Sequence, residues 1–236
     1  METRDQPSQG SQFDAYAGSY DEAVNRSLAF LGAKVDYFTR VKAAYLLDLL
    51  GEHFGSDTKP ALLDVGCGVG NFHPLLSGGV GSLSGCDVSA GCLEQAASRN
   101  AGVAYRHYDG HRLPFDDNSF DAAVTVCVMH HVPPEQWPAF AAEMKRVVRP
   151  GGLAVVFEHN PLNPLTRRVV SNCEFDEDAV LLRSGRTRGL LTGAGFRDVT
   201  ARSILSLPSF GRRSRKVDRA LGRMPFGAQY FVKGVA

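Results

Sequence analysis

At the end of the short apolar run Ala61–Val65 the chain reads Asp64-Val65-Gly66-Cys67-Gly68-Val69-Gly70. Glycines at this spacing let the backbone turn tightly and approach a ligand with no Cβ in the way, and a helix opening behind them favours a bound carboxylate or phosphate. The chemistry indicated is capture of a nucleotide-like ligand at the carboxyl end of a first strand. Asp87 closes a second apolar run, an acidic residue about 20 positions beyond the first glycine. Proton-transfer groups stand in two further segments, Val128-Met129-His130-His131 and Glu158-His159-Asn160-Pro161. Histidine titrates near neutrality, so His130 or His159 could act as a general base. His159 is preferred, because Glu158 and the proline-stiffened stretch after it would hold it in place. Cys127, His130 and His131, or His107 and His111, are metal-binding residue types. Neither set has a compact ligand spacing or an evident fourth ligand, so no metal is expected.

These groups need a scaffold of strand ends. Short apolar runs at Ala61–Val65, Ser82–Cys86, Val103–Tyr105, Ala122–Val128 and Leu153–Phe157 alternate with helical stretches such as Cys92–Arg99 and Glu135–Val148. That alternation predicts βαβ units and an α/β, doubly wound sheet covered on both faces. Upstream, Leu28, Leu31, Val35, Phe38, Tyr45 and Leu49 draw one apolar stripe along a helical segment. Downstream, a helix over Thr187–Gly193, strands over Asp198–Ile204 and Gln229–Val235, and between those strands a basic amphipathic helix are predicted. That helix has Val217, Ala220, Leu221 and Met224 at helical spacing among Arg212, Arg213, Arg215, Lys216, Arg219 and Arg223. Residues 160–183 lack periodicity and are expected to form an insertion over an open sheet edge.

Dinucleotide enzymes use a related glycine turn, GxGxxG with an acidic residue about 20 positions on. Here the spacing is GxGxG, with Asp64 two residues before the first glycine. The same order continues through Tyr108-Asp109-Gly110 with Leu113-Pro114-Phe115, Asn118-Ser119-Phe120-Asp121, Arg149-Pro150-Gly151-Gly152-Leu153 and Gly193-Ala194-Gly195-Phe196. It begins with Phe13-Asp14-Ala15-Tyr16-Ala17-Gly18-Ser19-Tyr20-Asp21. Over residues 13 to 205 the chain resembles the class I S-adenosylmethionine-dependent methyltransferases. The resemblance implies a Rossmann-like, mostly parallel seven-stranded sheet with helices on both faces and an N-terminal helical lid, and S-adenosylmethionine as cofactor. It implies that Gly66, Cys67 and Gly68 lie against the methionine part, with Asp64 anchoring the amino group. Asp87, with Val88 beside it, would take the ribose, Asp109 and Gly110 the adenine, and Cys127 would make a backbone contact. Tyr16 and Tyr20 would close over the cofactor, Tyr16 counting with His130 and His159 as a candidate catalytic group. Asp109 has a plainer reading as an Asp-Gly turn.

The 236 residues are 44% apolar and 22% charged, with net charge +1, which fits one globular domain and excludes fibrous or wholly disordered chains. Residues 1–12 read as a disordered tail and 13–236 as one domain, with 13–58 as the lid and 160–183 and 206–227 as insertions on the acceptor side. No apolar run has the roughly 20 residues of a membrane span. Five cysteines without a CxxC pair, and no apolar leader at the N-terminus, point to a cytoplasmic protein with reduced thiols. Charge is uneven. Residues 1–160 carry 12 basic and 19 acidic groups, and the remainder 14 and 6. The basic third suggests a small, anionic acceptor or peripheral membrane contact. The family resemblance implies O-, N- or C-methylation, and residues 160–182 resemble bacterial methyltransferases of secondary metabolism or of lipid or sugar modification. Nucleic acid is not an expected partner, since no Asn-Pro-Pro-Tyr motif follows the fourth strand. RNA methylation and a non-catalytic cofactor-binding or membrane-surface module are the alternatives.

Overall fold

Apolar residues on successive positions of the central strands must bury both faces of a sheet, because neighbouring side chains in a strand point to opposite sides. The computed structural model, which describes residues 14, 26, 35–173, 176–206 and 211–236, shows this directly. Strands β1 (Ala61–Val65), β2 (Ser82–Asp87), β3 (Ala104–His107), β4 (Phe120–Val126), β5 (Val148–His159), β6 (Arg197–Ile204) and β7 (Gln229–Val235) form one sheet in the order β3-β2-β1-β4-β5-β7-β6. All neighbouring pairs are parallel except those made by β7, which runs against β5 and β6.

Seven helices are described: α1 (Val35–Phe54), α2 (His73–Leu76), α3 (Ala90–Arg99), α4 (Trp137–Val147), α5 (Pro164–Ser171), α6 (Ser184–Gly193) and α7 (Arg212–Leu221). Leu63, Ala123, Val156 and Val232 face a core shared with Phe140 and Met144 of α4 and Leu190 and Leu191 of α6. Their neighbours Leu62, Val124, Val155 and Phe231 face the opposite core, with Tyr45, Leu46 and Leu49 of α1. The α/β, doubly wound, mostly parallel seven-stranded sheet is therefore present as expected. Strand order reverses between β2-β1 and β4-β5, and the crevice outside the carboxyl ends of β1 and β4 is where such sheets bind ligands.

Three local expectations are corrected. The helix behind the glycine turn is a single turn, α2, so a long helix dipole does not sit there. The described residues of 160–183 do not cover an open edge. Asn160 Nδ2 donates to the carbonyls of Pro225 and Gly227, and Thr166 Oγ1 to that of Ala228, which places the segment at the end of β5 beside the entry to β7. The presumed apolar stripe of α7 is not its inner face: Val217 is 53% exposed, whereas Asp218 is wholly buried. Asp218 accepts from Tyr45 Oη at 2.7 Å and from the backbone N–H groups of Leu205 and Ser206. The inner side of α7 is thus a buried carboxylate fixing the end of β6.

Candidate functional site

The strand ends enclose a cavity of about 430 Å³. Its first wall is the glycine turn. Gly66 and Gly68 have φ of +75° and +50°, values that disfavour any residue with a Cβ. A Cβ on Gly66 would lie 2.5 Å from Val128 Cγ2, while one on Gly68 would meet open space. The turn is thus packed against the loop after β4 at Gly66 and open at Gly68. Asp87 closes this end, its carboxylate accepting from Gly68 N at 2.7 Å and Ser89 N at 3.0 Å. Burial raises its pKa, against those two N–H groups, which lower it. Asp64 is buried too. One of its oxygens meets His73 Nε2 at 3.2 Å, His73 being held in turn by Tyr105 Oη at 2.6 Å, and the other has no partner. From the N-terminal segment, Asp14 accepts from Ser89 Oγ and Gly91 N at the start of α3.

The opposite end gathers titratable groups from β4, β5, α1 and the segment after α5. His130, in the turn Met129–His131, is buried, with Nδ1 2.6 Å from Glu158 and Nε2 3.3 Å from Asp176. Burial opposes its charge, but the Glu158 and Asp176 carboxylates prevail and hold its pKa well above the ordinary value. Burial also raises both carboxyls, and His130 outweighs this and keeps them ionised. His131 Nε2 lies 3.4 Å from the same Asp176 oxygen; burial and the neighbouring His130 bring its pKa down to about 3. His159 stands 5.2 Å from His130 between ring centroids, with Nδ1 3.4 Å from Gln229 Nε2.

Cys127, with φ +57°, sits between the two ends. Burial pushes its thiol up, but the Lys42 ammonium 3.6 Å away and His159 outweigh this and bring it down to about 7. Cys67 differs: burial, with Asp64 and Asp87, pushes it well above the ordinary value.

Of the residues singled out in the sequence, Asp64, Gly66, Cys67, Gly68, Asp87, Val88, Gly110, Cys127, His130 and His159 all line this cavity. Asp109 does not. It is fully exposed and its carboxylate accepts from His111 N and Arg112 N, as in the plain Asp-Gly turn, while Tyr108 lines the wall instead. Tyr16 and Tyr20 lie outside the described residues. His107 is directed away, to the Val88 carbonyl. Lys42, Asp176, Thr166 and Gln229 also line the cavity and were missed in the sequence. Only Lys42 could have been noticed, as a charge among the apolar positions of α1. The rest of the wall is largely apolar, with Phe38, Phe72, Leu165, Val169, Leu205 and Phe226. Among the described side chains, no α7 cation lines it; Arg215 and Arg219 pair with Asp48 and Glu52 of α1.

Residues 63–156 match the family described as "Methyltransferase domain". A demethylmenaquinone methyltransferase of Beutenbergia cavernae is 30% identical over 227 residues, 87% of this chain and 89% of that one. The chain belongs to the S-adenosylmethionine-dependent methyltransferases of class I. A second relative in this family, the demethylmenaquinone methyltransferase of Staphylococcus epidermidis, is 36% identical over 116 residues, and the match spans only 47% of its length. The SAM-dependent methyltransferase of Thermotoga maritima has the same fold, with a TM-score of 0.67 at 20% identity, covering 96% of this chain and 98% of that one. The family's cofactor is S-adenosylmethionine, and the residues present fit it. The unpartnered Asp64 oxygen suits an ammonium group, the open space at Gly68 leaves room for a ligand, and the Asp87 carboxylate borders the cavity.

Proposed function

We propose that the protein transfers a methyl group from S-adenosylmethionine to a small acceptor with a largely apolar body and an ionisable hydroxyl. The observation that carries this reading is the cavity itself, with a glycine turn and two carboxylates at one end and histidines at the other. When bound, the cofactor supplies an electrophilic methyl on a cationic sulfur. Asp64 would hold its amino group and Asp87 its ribose hydroxyls. Gly66, Cys67, Gly68, Val88 and Gly110 would form the wall against it, and Cys127 would mark the junction with the acceptor. Tyr16 and Tyr20 remain candidates for the closing segment.

Among the three histidines, His130 is held protonated between Glu158 and Asp176 and cannot readily take another proton. His159 is the group we assign to remove the acceptor's proton. His130 would act by charge and by position. Apolar lining supports an apolar acceptor over an anionic one, as do the exposed side chains of Leu162, Leu165 and Phe226. An acceptor of the demethylmenaquinone kind, named for the relatives, suits such a wall. No described helix is long and apolar enough to cross a membrane.

The test is calorimetric titration with S-adenosylmethionine and S-adenosylhomocysteine, with NAD as control, followed by turnover with quinol and anionic acceptors. Binding of both adenosyl ligands, no binding of NAD and methylation of a quinol are expected. Binding of NAD alone would refute the cofactor assignment, and turnover confined to anionic acceptors would refute the acceptor class.

A further inference from the structure

His130 Nε2 and His131 Nε2 converge on one oxygen of Asp176, at 3.3 and 3.4 Å, and all three ligand atoms lie within 4.8 Å of one another. Both separations are longer than a good N–H···O hydrogen bond. They match the edge of a tetrahedron built on metal–nitrogen and metal–oxygen bonds of about 2.0–2.1 Å, which is about 3.3 Å. The far nitrogen of His130 is fixed by Glu158 at 2.6 Å, the carboxylate–histidine arrangement that orients and strengthens a metal-binding imidazole. His130 and Glu158 are each 1% exposed at the side chain, Asp176 10% and His131 20%, and all three ligand residues line the cavity.

We propose that His130, His131 and Asp176 form a three-ligand site for a divalent transition-metal ion, with its open position facing the acceptor end of the cavity. Two imidazoles and one carboxylate suit zinc, cobalt or iron better than magnesium or calcium, which prefer oxygen. Without metal, a proton on His130 occupies this position; the two are alternatives, because a coordinating imidazole must be unprotonated. The sequence conceals the site, since Asp176 lies 45 residues beyond His131 in a stretch without periodicity. For catalysis, a part of the inference that rests on the methyltransferase reading, the ion would bind the acceptor hydroxyl as its oxyanion. The hydroxyl proton would pass to His159, and the electron pair of the resulting anion, on the oxygen or on the ring carbon conjugated with it, would form the bond to the methyl carbon as the carbon–sulfur bond breaks. A bound cation lowers the pKa of a coordinated hydroxyl, so the acceptor class it selects is an oxygen acid such as a phenol or enol.

The full chain, stripped with a chelator, is titrated with Co²⁺ while visible absorption and S-adenosylhomocysteine binding are followed. One equivalent should bind with the d–d absorption of a low-coordinate N/O site and be displaced by Zn²⁺. Asp176→Ala and His131→Ala should abolish that absorption, and Glu158→Gln should weaken Co²⁺ binding about 10- to 100-fold. Retained S-adenosylhomocysteine affinity and thermal melting show that each variant is folded; Asp176→Asn replaces Asp176→Ala if the latter melts early. Wild-type protein that takes up no Co²⁺ at micromolar concentration overturns the site. Equal Co²⁺ binding by the Asp176 and His131 variants overturns it too, as does a sulfur charge-transfer band, which would assign the ion to thiols. Co²⁺ uptake without any S-adenosylhomocysteine binding would leave the metal site standing and overturn the methyltransferase reading.

Discussion

Replacing Asp87 by alanine removes more than one ligand contact. Each carboxylate oxygen already accepts one backbone N–H, from Gly68 or Ser89, and has a second lone pair for a ligand hydroxyl. Hydrogen bonds to charged groups are each worth about 1.5–3 kcal/mol, so losing ribose contacts together with the tether on the glycine turn should weaken cofactor binding by about 2–4 kcal/mol. That is roughly 30- to 1,000-fold in Kd. Asp87→Asn should lose nearly as much, because its amide NH₂ must face one of the two N–H donors. Calorimetry with S-adenosylhomocysteine and with its 2′-deoxy analogue separates ribose recognition from loop order: the deoxy analogue should bind worse than the parent in wild type, and the gap should shrink in Asp87→Ala. Wild-type affinity in a folded Asp87→Ala, or an undiminished gap, would refute the reasoning.

Gly66→Ala combines a left-handed φ with a 2.5 Å contact to Val128, which together should cost about 2–5 kcal/mol in urea unfolding. Adding Val128→Ala should recover the steric part only; strictly additive effects would show that the two loops do not interlock. Asp218→Ala leaves Tyr45 Oη with only the Arg215 carbonyl at 3.4 Å and two part-buried N–H groups without their acceptor, and should cost about 2–4 kcal/mol, lowering Tm by roughly 4–16 °C. An unchanged Tm would mean that α7 is not fastened through its inner face. Cys127 should be alkylated by iodoacetamide with a midpoint near pH 7, and S-adenosylhomocysteine should slow the reaction. Lys42→Met should move that midpoint upward, toward the ordinary thiol value of about 8.5. Being a depressed acid, this thiol contributes stability that is present above its unfolded pKa and lost as pH falls through about 7. A midpoint indifferent to Lys42 would separate the two groups.

Strand positions were readable because the central strands are apolar on consecutive residues, and β7 (Gln229–Val235) falls on the residues that alternation selects. Strand ends were less so. β5 begins at Val148, five residues before Leu153, because the Arg149–Gly152 turn bulges within the strand. The end of the cavity that holds the glycine turn could be read from one contiguous segment and Asp87. The acceptor end could not, since Lys42, Asp176 and Gln229 come from three distant elements and carry no mutual spacing. In α7 the pattern misled. Val217 and Ala220 repeat at helical spacing yet lie outward, because a buried carboxylate with three donors outcompetes them for the inner face.

The reversed direction of β7 separates two kinds of evolutionary freedom. Because β6 runs up and β7 down, the segment joining them returns to the same end of the sheet as the loops after β4 and β5, where Leu205, Phe226 and Gln229 meet the cavity. Apart from Asp218, which fastens the end of β6, that segment can change composition while the parallel half, β1 to β4, keeps its register. The glycine turn and this segment thus meet the cavity from separate parts of the sheet, so the lining contributed by the segment can be altered without touching the glycine turn.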